Sequence, residues 1–283
     1  MLLIGCDFSS RPGPRKPIVM ALGQAKAGVV SLDALQAIFT LEAFASSLRE
    51  RRSWVGGFDL PFGLPRELVQ TLGWPTQWLD CLRTYQALSR AQIRDLFAAF
   101  CNARPAGRKF AHRATDRWAG SSPSMKWVNP PVAYMLHAGV PLLVDAGVSI
   151  PGLFAGDSTD VDAHGRPRRV ALEAYPGLLA REVLGRDSYK SDDRTKQTAQ
   201  RAERRAILVD ALVQGQTRLG MRLQLTPAQN EALVLDGSGD QLDAVLCLMQ
   251  AAWGQQQGWP SFGLPVPIDP LEGWIVSALP SAA

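Results

Sequence analysis

Five acidic side chains stand where a chain would place metal ligands. Asp7 ends the apolar run Leu2-Leu3-Ile4-Gly5-Cys6, Asp59 ends Trp54-Val55-Gly56-Gly57-Phe58, and Glu173 ends Val170-Ala171-Leu172. Asp240 and Asp243 open a long apolar stretch that continues Ala-Val-Leu-Cys-Leu-Met. Half-buried carboxylates repel one another and lose hydration, and a divalent cation relieves both costs. Oxygen ligands of this kind suit Mg²⁺ or Mn²⁺. Two such ions about 4 Å apart stabilise the attacking and leaving oxygens of a phosphodiester displacement. The expected chemistry is therefore metal-dependent hydrolysis of a phosphodiester. Asp7, Asp59 and Asp243 would hold the metal with Asp240 assisting, and Glu173 would orient the attacking water or complete the coordination.

Each acid also has a plainer reading. Asp7 can cap the turn before Ser9-Ser10, and Asp59 can start the turn at Leu60-Pro61. Asp240 gains from a helix dipole in a first turn. Glu173 can pair with an arginine such as Arg169. Asp243 is harder to explain away, because it sits deeper among Leu242 and Val245. Together the five acids point to one shared metal site.

Between Arg104 and Lys126 lie six basic residues against one acid, Asp116. Arg108, Arg113, Arg117 and Lys126 are the expected phosphate-binding residues, since arginine forks match phosphate geometry. Trp118 and Trp127 are available to stack on bases. The competing reading is a solvated basic loop anchored by its tryptophans. A second basic run, Lys190 to Lys196 with Arg201, Arg204 and Arg205 beyond it, either adds phosphate contacts or forms a solvated helix face.

These side chains need a sheet to carry them. Short apolar runs predict strands at 2–8, 17–23, 29–32, 54–60 and 169–174, with 274–276 as a last edge strand. Leu41, Phe44, Ala45 and Leu48 share one face of a helix over 39–51. An antiparallel meander followed by a crossover helix makes an α/β sheet of mixed direction. Residues 66–167 read as a helical and loop insertion, with helices at 77–87, 91–103 and 131–147. Helices follow at 176–187, 197–214 and 239–255, with a short one starting at Thr226-Pro227. Ser238 and Gln241 match a capping box for the last of the long ones. The expected organisation is one domain over 1–276, containing the insertion, with a tail at 277–283.

The segments Ile4-Gly5-Cys6-Asp7, Phe58-Asp59-Leu60-Pro61-Phe62-Gly63-Leu64-Pro65, Glu173-Ala174-Tyr175-Pro176 and Asp240-Gln241-Leu242-Asp243-Ala244 resemble the motifs of the domain of unknown function 429 family. That family is regarded as predicted nucleases with an RNase H-like fold, and the resemblance spans residue 3 to about residue 276. The early GxD with the late DxxDA also resembles RuvC-type resolvases. The resemblance implies a mixed five-stranded sheet with acidic metal ligands at its centre. Carried over residue by residue, those ligands are Asp7, Asp59, Asp240 and Asp243.

The 283 residues are 46% hydrophobic and 20% charged, an ordinary globular profile. A net charge of +4 permits a polyanionic partner such as DNA or RNA without demanding one. The four cysteines form no CxxC pair, and with three histidines they make a zinc site a poor expectation. The N-terminal run has no basic region before it and stops at Asp7, unlike a signal peptide. A cytoplasmic location is the default expectation. Two rivals remain at this stage. One is an actin-like ATP-dependent phosphotransferase, with Asp7-Phe8-Ser9-Ser10 as a phosphate turn. The other is a non-catalytic nucleic-acid-binding module, in which the basic loop matters and the carboxylates do not.

Overall fold

A computed structural model describes residues 1–50 and 53–279. Six strands form one sheet: β1 (Leu2–Asp7), β2 (Ile18–Lys26), β3 (Val29–Ile38), β4 (Trp54–Asp59), β5 (Arg169–Glu173) and β6 (Arg222–Gln224), in the order β5-β4-β1-β2-β3-β6. β1, β2 and β3 run antiparallel to their neighbours as a meander, while β4 lies parallel to β1, β5 parallel to β4, and β6 parallel to β3. α1 (Leu41–Glu50) makes the crossover, burying Phe44 and Leu48 as its spacing requires.

The sheet thus has six strands where five were expected. The extra one, β6, is three residues long with exposed Arg222 and Gln224 around a single buried Leu223. So short a run has no periodicity to read. Two other boundaries shift. β3 continues to Ile38 because its far half alternates partly exposed positions rather than a buried run. Residues 274–276 form no strand; Ile275 makes one bridge to Glu173 and the chain turns away.

Strand alternation sends Leu3, Val19, Ala21, Val55 and Leu172 to one face, against α7 (Pro176–Leu184), α8 (Ala199–Gln214), α9 (Pro227–Leu235) and α10 (Asp240–Gln257). Ile4, Cys6, Phe8, Met20 and Phe58 face the other way, into one cluster with α1 and the segment 66–167. That segment contains α2 (Arg66–Thr71), α3 (Trp78–Gln86), α4 (Arg90–Asn102), α5 (Ala114–Ala119) and α6 (Val132–Asp145). Tyr85 stacks on Phe97 at 5.8 Å, and its hydroxyl donates to the Ala133 carbonyl at 2.9 Å, so α3, α4 and α6 lock together under the sheet. Each such buried ring contributes on the order of 1.5–3 kcal/mol.

α10 is the central helix, with 14 of its 18 residues buried on every side. The expected capping box at its start is replaced. Asp236 accepts from the Ser238 amide and hydroxyl and from the Gln241 amide at 2.9 Å, while Gly239 takes a left-handed φ of 76° at the N-cap. An aspartate five residues upstream reaches the orphan amide that Ser238 was expected to satisfy. Among the described residues no helix is long and apolar enough to cross a membrane, and all four cysteines are buried and free.

Candidate metal centre

β1 and β4 are parallel neighbours, and their register sets Asp7 directly beside Asp59 and Gly5 beside Gly57. All four positions face α10. A Cβ on Gly5 would stand 2.0 Å from the Ala244 carbonyl oxygen and 2.2 Å from the Leu248 amide, and one on Gly57 would stand 2.4 Å from the Cys247 oxygen. Only glycine lets the helix backbone rest on the strands this closely. Asp240 and Asp243 sit one turn before Ala244 and Cys247 on the same helix face, which brings them over the strand ends. The repeated G-x-D, Gly5-Cys6-Asp7 and Gly57-Phe58-Asp59, is the sequence trace of this arrangement.

Asp7, Asp59 and Asp243 each offer a carboxylate oxygen, and these lie within 4.8 Å of one another. Asp243 is fully buried, Asp7 is 7% exposed, and Asp59 is half-buried. Among the described residues no hydrogen bond or ion pair reaches the carboxylates of Asp7 or Asp59. Burial, reinforced by Asp243, holds Asp7 well above the usual carboxylate range and pushes Asp59 up to about 7. The site therefore strains against its own negative charge, the condition a bound cation relieves.

Two lysines supply part of the missing charge. Asp243 accepts from the Tyr189 hydroxyl on one oxygen and from the Lys190 ammonium on the other. Burial works against charge on Lys190, but Asp243, Tyr189 and Asp7 override it and hold the ammonium protonated. Burial likewise raises Tyr189, with Asp243 adding to the effect. Asp240 lies outside the trio: Lys16 binds it at 2.6 Å and reaches exposed Asp192 at 2.8 Å. Burial raises Asp240, and Lys16 partly offsets the rise.

Glu173 lines the same cleft as these acids but lies outside the trio. Its partner in register is Phe58, so it points to the opposite face of the sheet from Asp59. It pairs with an arginine, as its plainer reading allowed, but with Arg113 and not Arg169, which binds Asp160. Arg113 is 1% exposed, and all five of its N–H groups are committed. Nε and Nη2 donate to Asp116 at 3.1 and 2.9 Å, both Nη groups donate to Glu173 at 2.8 and 2.5 Å, and Nη1 also reaches the Glu272 carbonyl at 3.0 Å. Glu173 further accepts from the Phe62 amide at 2.9 Å. Arg113 has no N–H left for a phosphate and neutralises two buried acids, while Glu173 braces the turn after Asp59.

The basic loop fares differently from its reading. Ala111, Arg113, Thr115, Asp116, Ala119 and Met125 anchor it inward, and Arg108 and Arg117 point to solvent. Arg108, Arg117 and Lys126 do not line the cleft around the carboxylates, although Ser121 and Ser122 do. That cleft encloses about 1070 Å³. Its cations are Arg15, Lys16, Lys190 and Arg194, besides the committed Arg113. Lys190 and Arg194 come from the second basic run, whose Arg205 is buried and donates to backbone carbonyls of Tyr189 and Val234. Arg15 and Lys16 are not among the phosphate-binding residues expected from the sequence; the signal that marks them is a basic hairpin, Arg11 to Lys16, directly after a strand-end aspartate. No family model, curated protein or solved structure matches this chain.

Proposed function

We propose that this protein is a divalent-metal-dependent nuclease that hydrolyses phosphodiester bonds in DNA or RNA, on an RNase H-like sheet related to the domain of unknown function 429 family. The observation that carries the reading is the convergence of buried or half-buried Asp7, Asp59 and Asp243, residues separated by most of the chain, on one point. The donor set fits the metal. It is all oxygen, which favours Mg²⁺ or Mn²⁺ over softer ions, and Asp7 is nine-tenths buried with no hydrogen-bond or ion-pair partner among the described residues.

Asp7, Asp59 and Asp243 would hold the ion, and Tyr189 fixes the rotamer of Asp243. A divalent cation bound there supplies Lewis acidity, polarising the phosphoryl group and stabilising charge on the departing oxygen. Lys16 keeps Asp240 from adding an uncompensated charge. Arg15 and Arg194 line the cleft beside the acids, where they hold backbone phosphates, and Ser9 and Ser10 stand at the end of β1 as further donors.

Asp7→Asn and Asp243→Asn test this directly. Each removes a metal ligand while keeping side-chain volume. The expected result is loss of Mg²⁺- or Mn²⁺-dependent cleavage of single- and double-stranded DNA and RNA by at least about 100-fold, with unchanged circular dichroism. Cleavage surviving in both variants would overturn the proposal. Metal-independent polynucleotide binding without cleavage by the wild type would favour a binding module instead.

A further inference from the structure

The charges around the trio do not add up to a two-ion site. With every carboxylate ionised, as cation binding requires, Asp7, Asp59, Asp240 and Asp243 bring four negative charges, and the ammonium groups of Lys190 and of Lys16, which also reaches exposed Asp192, return two. The remaining two match one divalent cation. Geometry agrees. Ligand oxygens sharing an ion at about 2.1 Å can be at most about 4.2 Å apart. The three carboxylate oxygens, within 4.8 Å, need only a small contraction to reach that span. A second ion beside Asp243 would need oxygens of Asp240 or Asp243 in addition to the second oxygens of Asp7 and Asp59, and both of those residues are already engaged by lysines. Asp240 is turned to Lys16, and the second oxygen of Asp243 is held by Lys190. Glu173 lines the same cleft but is turned to Arg113 and the Phe62 amide.

We propose that the site holds a single divalent cation, and that the Lys190 ammonium beside Asp243 occupies the place of a second. This rests on the nuclease reading above and replaces the two-ion arrangement expected from the sequence. Lys190 lines the cleft with its side chain 41% exposed. An ammonium has three donors. With one on Asp243, others remain to meet a phosphate oxygen, where a compact positive charge does part of what a second metal would do.

Titrating the full chain with MnCl₂, and following free Mn²⁺ by electron paramagnetic resonance, counts the ions directly. Wild type is expected to bind one Mn²⁺ per chain. Lys190→Met, which frees an oxygen of Asp243 and deepens the negative charge, is expected to bind two. Lys190→Arg, which keeps the charge, is expected to bind one. Lys190→Gln replaces the Met variant if that fails to give a native circular dichroism spectrum. Two ions on the wild type, or one on a folded Met or Gln variant, would overturn the proposal. The underlying reading fails by a different result: no ion on the wild type, or undiminished binding by Asp7→Asn.

Discussion

In the metal-free protein Asp59 keeps its proton up to about pH 7, whereas in the unfolded chain it loses it near 3.8. Between those values the folded state binds more protons than the unfolded state, so its stability falls as pH rises through the window. Below about pH 4 the contribution is fully present, and above about pH 7 it is gone. Asp7, raised by the same burial and the same Asp243, acts in the same direction. The melting temperature of the chelator-treated protein is thus expected to drop between pH 5 and pH 8, and Asp59→Asn to flatten the slope. Scanning calorimetry across that range checks both. A second residue-scale prediction concerns Arg113. Removing it as Arg113→Met strands Glu173 and Asp116 as buried, uncompensated charges, at a cost of about 3–5 kcal/mol in urea unfolding. Arg117→Ala, at an exposed position, should stay within about 0.5 kcal/mol. The two arginines are four residues apart in one basic run, and nothing local distinguishes them. What separates them is whether acids from β5 and α5 lie opposite.

At the scale of elements, the contact between α10 and the β1–β4 pair positions the site. Gly5→Ala drives a methyl into helix backbone that has no flexible end to yield. We expect a loss of about 3 kcal/mol and, because α10 lifts away from Asp7 and Asp59, a weakened metal affinity. Gly13→Ala meets no atom within 4 Å and serves as the control, unchanged within about 0.5 kcal/mol. Chemical denaturation together with Mn²⁺ titration separates the two effects. Most elements were readable because their signals are local: the apolar runs of β1, β4 and β5, the one-sided spacing of α1, the unbroken apolar length of α10. β6 was not, because three residues pair only on account of a β3 edge already in place. The cap of α10 was misassigned because Asp236 competes with Ser238 for the same amide, and only the path of the turn decides between them.

For the whole molecule, a ligand that binds only the folded state adds RT ln(1 + [L]/Kd), about 2.7 kcal/mol at a hundredfold excess over Kd. For a chain of this size that corresponds to roughly 5 °C or more in melting temperature. Saturating Mn²⁺ is expected to produce such a rise in the wild type and none in Asp7→Asn, a difference that differential scanning fluorimetry reads without any activity assay. The same global view explains which cations serve the cleft. Lys16 and Asp240 are 224 residues apart and Lys190 and Asp243 are 53 apart, so neither pair leaves a mark in any short window of sequence. The densest basic segment, 104–126, instead spends its arginine at 113 inside the protein.

By itself the amino-acid order determined where acids end apolar runs and that a long buried helix begins with two more. Those are patterns of hydrophobicity over a few residues, set by how a strand or helix must bury one face. The tertiary structure alone decided that Asp7, Asp59 and Asp243 share a point, that Asp240 and Glu173 do not join them, and that lysines rather than the basic loop face the acids. Those outcomes follow from parallel register and from two glycines that let a helix lie against two strands, contacts whose partners come from opposite ends of the chain.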